Sequence, residues 1–397
     1  MFSLNKYITL FAFILIPICT SSQIAFDEYF TQQALRVDYY RSGMIDKEQI
    51  DLFEFKKESF WSGNKQKTIP TFDYGDYAIE VFDSLTNKLI FKYGYSSLFQ
   101  EFIYTEKGRI KNNENFEESL KIPFPKKTIK ITFLKRDKFN KWEQQLSLFF
   151  NPNTNYFIDN SLHKLDSNFI KTIYYSGKPE NSFDVVFVAD AYTKHDIDKF
   201  FNDAKRFTSY LLECSPYDKY KDKINIYAVF TASESSNLQF NTFNKHTALQ
   251  TNFNTFDSER YLMTKNYFDL INIASQVPYD NIVVLVNTQH YGGGGIYNFY
   301  ATCSADNSNS DFLLIHETGH SFAGLADEYY TSEVSVESYH DLNIEPWEEN
   351  ITNLVNFESK WKNMLEKDTP IPTPNKLMLK YPIGVYEGAG YYEKGMY

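Results

Sequence analysis

The stretch 151–161, NPNTNYFIDNS, separates two kinds of periodicity that a single layer of secondary structure does not accommodate. Upstream, from about Asp73 to Phe150, apolar residues alternate: Tyr77, Ile79 and Val81, then Ile129, Ile131 and Phe133, then Leu146, Leu148 and Phe150. Turn-forming clusters, DSLTNK and KRDKFNK, separate these runs, and the pattern predicts antiparallel hairpins of a β-sandwich. Downstream, strand-like and helical runs take turns. FDVVFVAD reads as a buried strand, TKHDIDKFFNDAKRFTSYLLE has apolar residues at helical spacing, and INIYAVF and NIVVLVNT read as two more strands. This βαβ rhythm predicts an α/β domain from about residue 165 onward. A chain of 397 residues exceeds the commonest single-domain size, so two domains are expected. The upstream region carries no constellation of catalytic residue types and reads as a scaffold or binding module.

Residues 1–22 belong to neither regime. Lys6 supplies a positive start, ITLFAFILIPIC an apolar stretch, and TSSQ a small-residue exit with Thr20 and Ser22 at the positions a signal peptidase reads. The apolar run is shorter than the ~20 residues of a membrane span, so export with cleavage is expected and stable membrane association is not. Bulky Ile18 before Cys19 argues against lipidation there. Without this segment two cysteines remain, Cys214 and Cys303, with no metal-binding spacing; they either pair in an oxidising compartment or stand as small buried residues. A net charge of −11 offers no electrostatic reason to bind nucleic acid, while 36 Phe and 31 Tyr suit β-rich structure and extended binding surfaces.

Chemistry concentrates in FLLIHETGHSFAGLADEYY, residues 312–330, in a chain with only 7 histidines. Four residues apart on a helix, His316 and His320 differ by about 40° in direction and one turn in height, so both imidazoles reach one ion. Glu317 lies about 100° round from His316, close enough to reach the water such an ion activates without taking a coordination place. Asp311 begins the apolar run and suits the N-cap or the first turn of the helix. Hydrolytic zinc needs a third protein ligand. On a continuous helix Asp327 would be about 16 Å along the axis from His316, too far to share an ion. Gly324 removes the difficulty if it takes the left-handed conformation that ends a helix and turns the chain back. Asp327 or Glu328 is then the third ligand, with Asp327 favoured by spacing. His163, His195, His246, His290 and His340 have no partner spacing and read as surface or turn residues. Tyr391 and Tyr392 could offer a hydroxyl to a transition state, a weak case among 31 tyrosines. Gly292–Gly295, in YGGGGIYNFYATCS, is no phosphate loop; it is either a turn before an edge strand or an edge that pairs with an extended peptide.

Together HETGHSFAGLADEYY, YGGGGIYNFY and the late GVYEGAGYYEKGMY resemble the IgA peptidase family, secreted bacterial zinc metallopeptidases related to the metzincins. The resemblance covers most of the chain. It implies an α/β zincin-like catalytic domain at 165–397, preceded by an all-β sandwich-like domain at 23–155 and a signal peptide at 1–22. It also implies Zn2+ held by His316, His320 and a following acidic residue, with Glu317 as general base, in an exported endopeptidase that binds protein in extended form. Two departures stand out. Gly324 and Asp327 fall eight and eleven residues after His316, each one later than in metzincins, and no methionine turn is assignable. Met396 is too near the end, so a truncated catalytic domain is one expectation. The competing functions are a non-enzymatic secreted binding protein on a degenerate scaffold and a metal-dependent cell-wall amidase.

Overall fold

The computed structural model describes residues 24–45, 47–110, 114–162, 165–240, 246–330 and 339–397, so the expected leader with Cys19, and also His163, lie outside the described residues. In the first half, strands β1 (Phe30–Met44), β2 (Lys47–Glu58), β3 (Tyr77–Asp83), β4 (Leu89–Tyr95), β5 (Asn115–Pro125), β6 (Ile129–Arg136), β7 (Trp142–Phe150) and β8 (Ile158–Asp159) form two four-stranded sheets. Their orders are β5-β1-β2-β8 and β4-β3-β6-β7. Between the sheets lie Leu35, Val37 and Tyr39 from β1, Ile79 and Val81 from β3, and Ile129, Ile131 and Phe133 from β6. The alternation that places every second side chain inward is the pattern visible in β3 and β6. It was not visible in β1, for a physical reason. The outward residues of β1 are charged but not solvated: Arg36 pairs with Asp38 at 2.6 Å, both fully buried, and donates to Asn272 Oδ1 at 2.8 Å in the second half of the chain. Helices α1 (Phe26–Tyr29), α2 (Leu98–Tyr104) and α3 (Glu106–Ile110) flank these sheets.

The second half holds β9 (Ile170–Tyr174), β10 (Phe183–Asp190), α4 (Ile197–Glu213), β11 (Ile224–Val229), α5 (Tyr267–Ala274), β12 (Asn281–Val286), β13 (Gly293–Ile296), β14 (Tyr300–Ser304) and α6 (Ser310–Ala323). One six-stranded sheet, ordered β13-β14-β12-β10-β11-β9, runs through it. Strands β10, β11, β12 and β14 are parallel, and the edges β13 and β9 are antiparallel to their neighbours. Parallel strands are covered on both faces, which is why β10 and β12 read as continuous apolar runs. Val185 and Phe187 face Phe200 and Phe207 of α4 and Leu313 and Leu314 of α6. Val186 and Val188 face Leu270 and Ile271 of α5, and the same core takes in Leu98, Phe99, Phe102 and Ile103 of α2. The sandwich half therefore contributes to the core of the other half.

Cys303 is buried, Cys214 is partly exposed, and the two do not form a disulfide. Among the described residues no helix is long and apolar enough to cross a membrane. From Gly324 to Tyr397 the described chain has short 3-10 turns and an isolated bridge, Ala389 to Tyr392, in place of longer elements.

Candidate metal centre

Helix α6 begins at Ser310, with Asp311 in its first turn, and buries Leu313 and Leu314 against the sheet. That anchorage fixes the rotation of the helix, so Glu317, four residues after Leu313, is turned inward and 7% exposed. Close packing comes from the neighbouring strand. A Cβ at Gly295 would overlap the carbonyl oxygen of Glu317, and one at Gly293 would stand 3.1 Å from Glu317 Oε1. The glycines of β13 let the backbone of α6 lie directly on the sheet edge, a requirement the sequence reading did not see.

Gly324 ends α6 at φ +64°, and its N–H donates to the His320 carbonyl at 3.0 Å. The left-handed residue reverses the chain. Beyond it Asn350 brackets Ala326: its Oδ1 accepts from Ala326 N at 2.9 Å and its Nδ2 donates to Ala326 O at 2.8 Å. Gly390 N donates to the Asp327 carbonyl at 2.8 Å. Held this way, Asp327 faces the two imidazoles, and Glu328 is exposed to solvent.

Asp327 Oδ1 is 3.1 Å from His316 Nε2 and 3.2 Å from His320 Nε2, and the two Nε2 atoms are 3.1 Å apart. A tetrahedral ion with bonds of about 2.0–2.1 Å separates its ligands by about 3.3–3.4 Å, close to this triangle. The donor chemistry fits a divalent cation. A single proton can occupy one edge of the triangle, whereas an ion faces all three corners, and Asp327 Oδ1 is buried without a well-directed hydrogen bond. The outer atoms are tied down. His320 Nδ1 meets the Leu325 carbonyl at 2.5 Å, which makes Nδ1 the protonated nitrogen and leaves the Nε2 lone pair free. Asp327 Oδ2 accepts from the Tyr391 hydroxyl at 2.5 Å.

Electrostatics follow from this crowding. Burial pushes the Glu317 carboxyl up to about 7, against the pull of His320 and His316. Burial works against a charged His320, but Asp327 and Glu317 outweigh it and push the imidazole up to about 10. Burial likewise opposes charge on Asp327, yet the close imidazoles of His316 and His320 and the hydroxyl of Tyr391 hold its carboxyl well below the usual range.

A cleft of about 220 Å³ opens from this group. Asp76, Ser96 and Glu101 of the sandwich half line it, although that half showed no catalytic constellation in sequence. His340, read as a surface or turn residue, lines it too, with a side chain only 10% exposed. No local signal could have found these residues, because each reaches the cleft through packing of distant segments. His246, by contrast, is exposed beside Glu234, and His290 stacks on Phe240. The Tyr392 hydroxyl donates to the His340 carbonyl at 2.6 Å, so it is committed away from the imidazoles. Met396 is fully buried with Ile351 and Ala389 against Ala326, the residue before Asp327.

A family model described as IgA Peptidase M64 matches residues 172–380, more than half of the chain. A second, described as Peptidase M64 N-terminus, matches residues 25–147. No curated protein matches the chain.

Proposed function

Because the chain belongs to the IgA peptidase M64 family, we propose that it is an exported zinc endopeptidase whose ion is held by His316, His320 and Asp327, with Glu317 as general base. In this reading residues 1–22 are a cleaved export signal, 23–155 a sandwich domain and 165–397 a zincin-like catalytic domain. The triangle of two imidazole nitrogens and one carboxylate oxygen, with a buried glutamate one residue from the first imidazole, carries the reading. Zinc in that place supplies Lewis acidity toward a peptide carbonyl and lowers the pKa of its water toward ~7.

The chain's own residues do the rest. Glu317 accepts the proton of the attacking water at its carboxylate and returns it to the departing amine nitrogen. A cation beside it favours its ionised form, offsetting the effect of burial. Tyr391 and the Leu325 carbonyl orient Asp327 and His320 from behind. Strand β13 offers a short edge for an extended substrate. Gly293 N–H donates to the Arg260 carbonyl and Gly293 O accepts from Leu262 N, so alternation along the strand turns the N–H and C=O of Gly295 toward the open side. Tyr297 O accepts from Ser96 N, which closes the edge beyond that point. Peptide pairing is thus confined to the residues next to Glu317.

Metal analysis and hydrolysis of a denatured protein substrate test this together. The wild type is expected to hold one zinc per chain and to lose activity with a chelator. Glu317→Gln keeps the shape and removes the base, so zinc stays and kcat falls roughly 10²-fold or more. Undiminished hydrolysis by this variant removes Glu317 from the reaction, and no hydrolysis by the zinc-loaded wild type makes a non-enzymatic binding protein the better account.

A further inference from the structure

We propose that the cleft beside the His316, His320 and Asp327 group recognises a lysine or arginine side chain of the substrate, with Glu348 and Glu101 as the carboxylates that select it. This rests on the endopeptidase reading and names the substrate class of the same site. Three carboxylates from distant segments line the cleft: Asp76 ahead of β3, Glu101 on α2, and Glu348 in the C-terminal region. Glu101 is within electrostatic reach of His320 and Asp327, Asp76 of Glu101, and Glu348 of Asp76, so the acidic wall extends from the imidazoles inward.

Glu348 is the telling member. It is 5% exposed, lines the cleft, and its Oε2 has no hydrogen-bond partner among the described residues. Its Oε1 is 3.9 Å from His340 Nε2, and burial with the nearby Lys360 charge lowers that imidazole to about 4, so it is neutral. Lys360 and Arg136 attract Glu348 through space, but neither donates to its carboxyl: Lys360 donates to the carbonyls of Pro346 and Glu348, at 2.7 and 2.6 Å, and Arg136 to the carbonyls of Gly75, Asn140 and Asp73.

Asp76 plays another part. It accepts from Ser96 at 2.5 Å, from Tyr339 at 3.2 Å and from Trp347 at 3.2 Å, and so holds two aromatic walls of the cleft in place. Burial pushes Glu101 and Glu348 up to about 8, and Asp76 reinforces the shift on both. Both carboxyls are therefore largely protonated without a cation beside them; Glu101 also accepts from the Tyr261 hydroxyl, and an ammonium or guanidinium would favour the ionised forms and supply the partner that Glu348 Oε2 lacks. Aromatic faces beside it favour the same cation. Arg260, the cationic residue in the lining, stands near Tyr291 and Tyr329, toward Glu317 and Asp327.

The test uses the zinc-loaded full chain and peptides that differ at one position beside the scissile bond. Lysine or arginine there is expected to raise kcat/KM roughly 10–100-fold over methionine. Glu348→Gln and Glu101→Gln are each expected to lower that ratio at least roughly tenfold. A second measurement does not need turnover: agmatine, a free guanidinium ligand, should bind the Glu317→Gln protein and fail to bind once Glu348→Gln is added. Thermal stability of Glu348→Gln should hold, because a neutral amide of the same shape replaces a buried carboxyl that has no partner at Oε2. Cleavage indifferent to basic residues, with no agmatine binding, overturns the pocket while the endopeptidase reading survives. Agmatine binding that depends on Glu348, in a protein that cleaves no peptide, upholds the pocket and sinks the endopeptidase reading. A large loss of stability in Glu348→Gln assigns the residue to folding and overturns its selective role.

Discussion

Which carboxylate completes the trio turns on a single residue's conformation. Asp327 and Glu328 are neighbours of the same chemical type, yet the αL turn at Gly324 and the Asn350 bracket on Ala326 point one inward and leave the other exposed. Asp327→Ala is therefore expected to lose zinc in a competitive titration, while Glu328→Ala retains close to normal metal content. The reverse result would reassign the ligand. Tyr391 has a smaller and separable part. Its hydroxyl fixes Asp327 Oδ2, so Tyr391→Phe should weaken zinc affinity about 10–100-fold and leave the folded structure in place. Affinity equal to wild type in that variant would make the hydroxyl incidental. Sequence spacing favoured Asp327, but nothing local could weigh Tyr391 against the other tyrosines, because its contact spans 64 positions.

At the scale of elements, the decisive contact is α6 lying on the glycine-rich edge β13. Helical spacing alone places His316, Glu317 and His320 on neighbouring faces, and that much was legible. The glycine run read either as a turn before an edge strand or as an edge itself, and not as a bed for the helix, since that requirement belongs to a partner about twenty residues away. Gly295→Ala should cost about 1–3 kcal/mol of stability by forcing the Glu317 backbone off the strand, and should depress activity with it. Gly319→Ala is the control within the same helix. Its Cβ would meet Leu325 Cδ1 at an ordinary 3.6 Å, so helix propensity should add about 0.5–1 kcal/mol. Denaturant melts of the two variants should move in opposite directions; equal shifts would remove the close approach as the reason for glycine.

The whole molecule behaves as one body joined across its two halves. Arg36 of β1 reaches Asn272 and the Phe268 carbonyl, Ser96 N donates to Tyr297 O at 2.9 Å, Asn298 Nδ2 donates to Gly94 O at 2.7 Å, and α2 is part of the core against α5. Separating the halves would expose buried ions and apolar surface together, so calorimetry of the full chain should show one cooperative transition. Two resolved transitions would mean the shared core contributes little.

Local spacing was enough to read the alternation of β3 and β6, the parallel-strand runs of β10 and β12, the His316–Glu317–His320 face and the glycine that ends α6. Each depends on residues within a few positions, where backbone geometry alone dictates which side chains share a face. The approach of Asp327 to the imidazoles, the support from Tyr391 and Asn350, the place of His340 in the cleft, the burial of Met396, and the acidic wall of Asp76, Glu101 and Glu348 were decided by tertiary structure. Those contacts join segments tens to hundreds of residues apart. Periodicity records which face of an element is apolar, not what is packed against it, and so the buried charges of β1, which meet α5, leave no signal in the sequence.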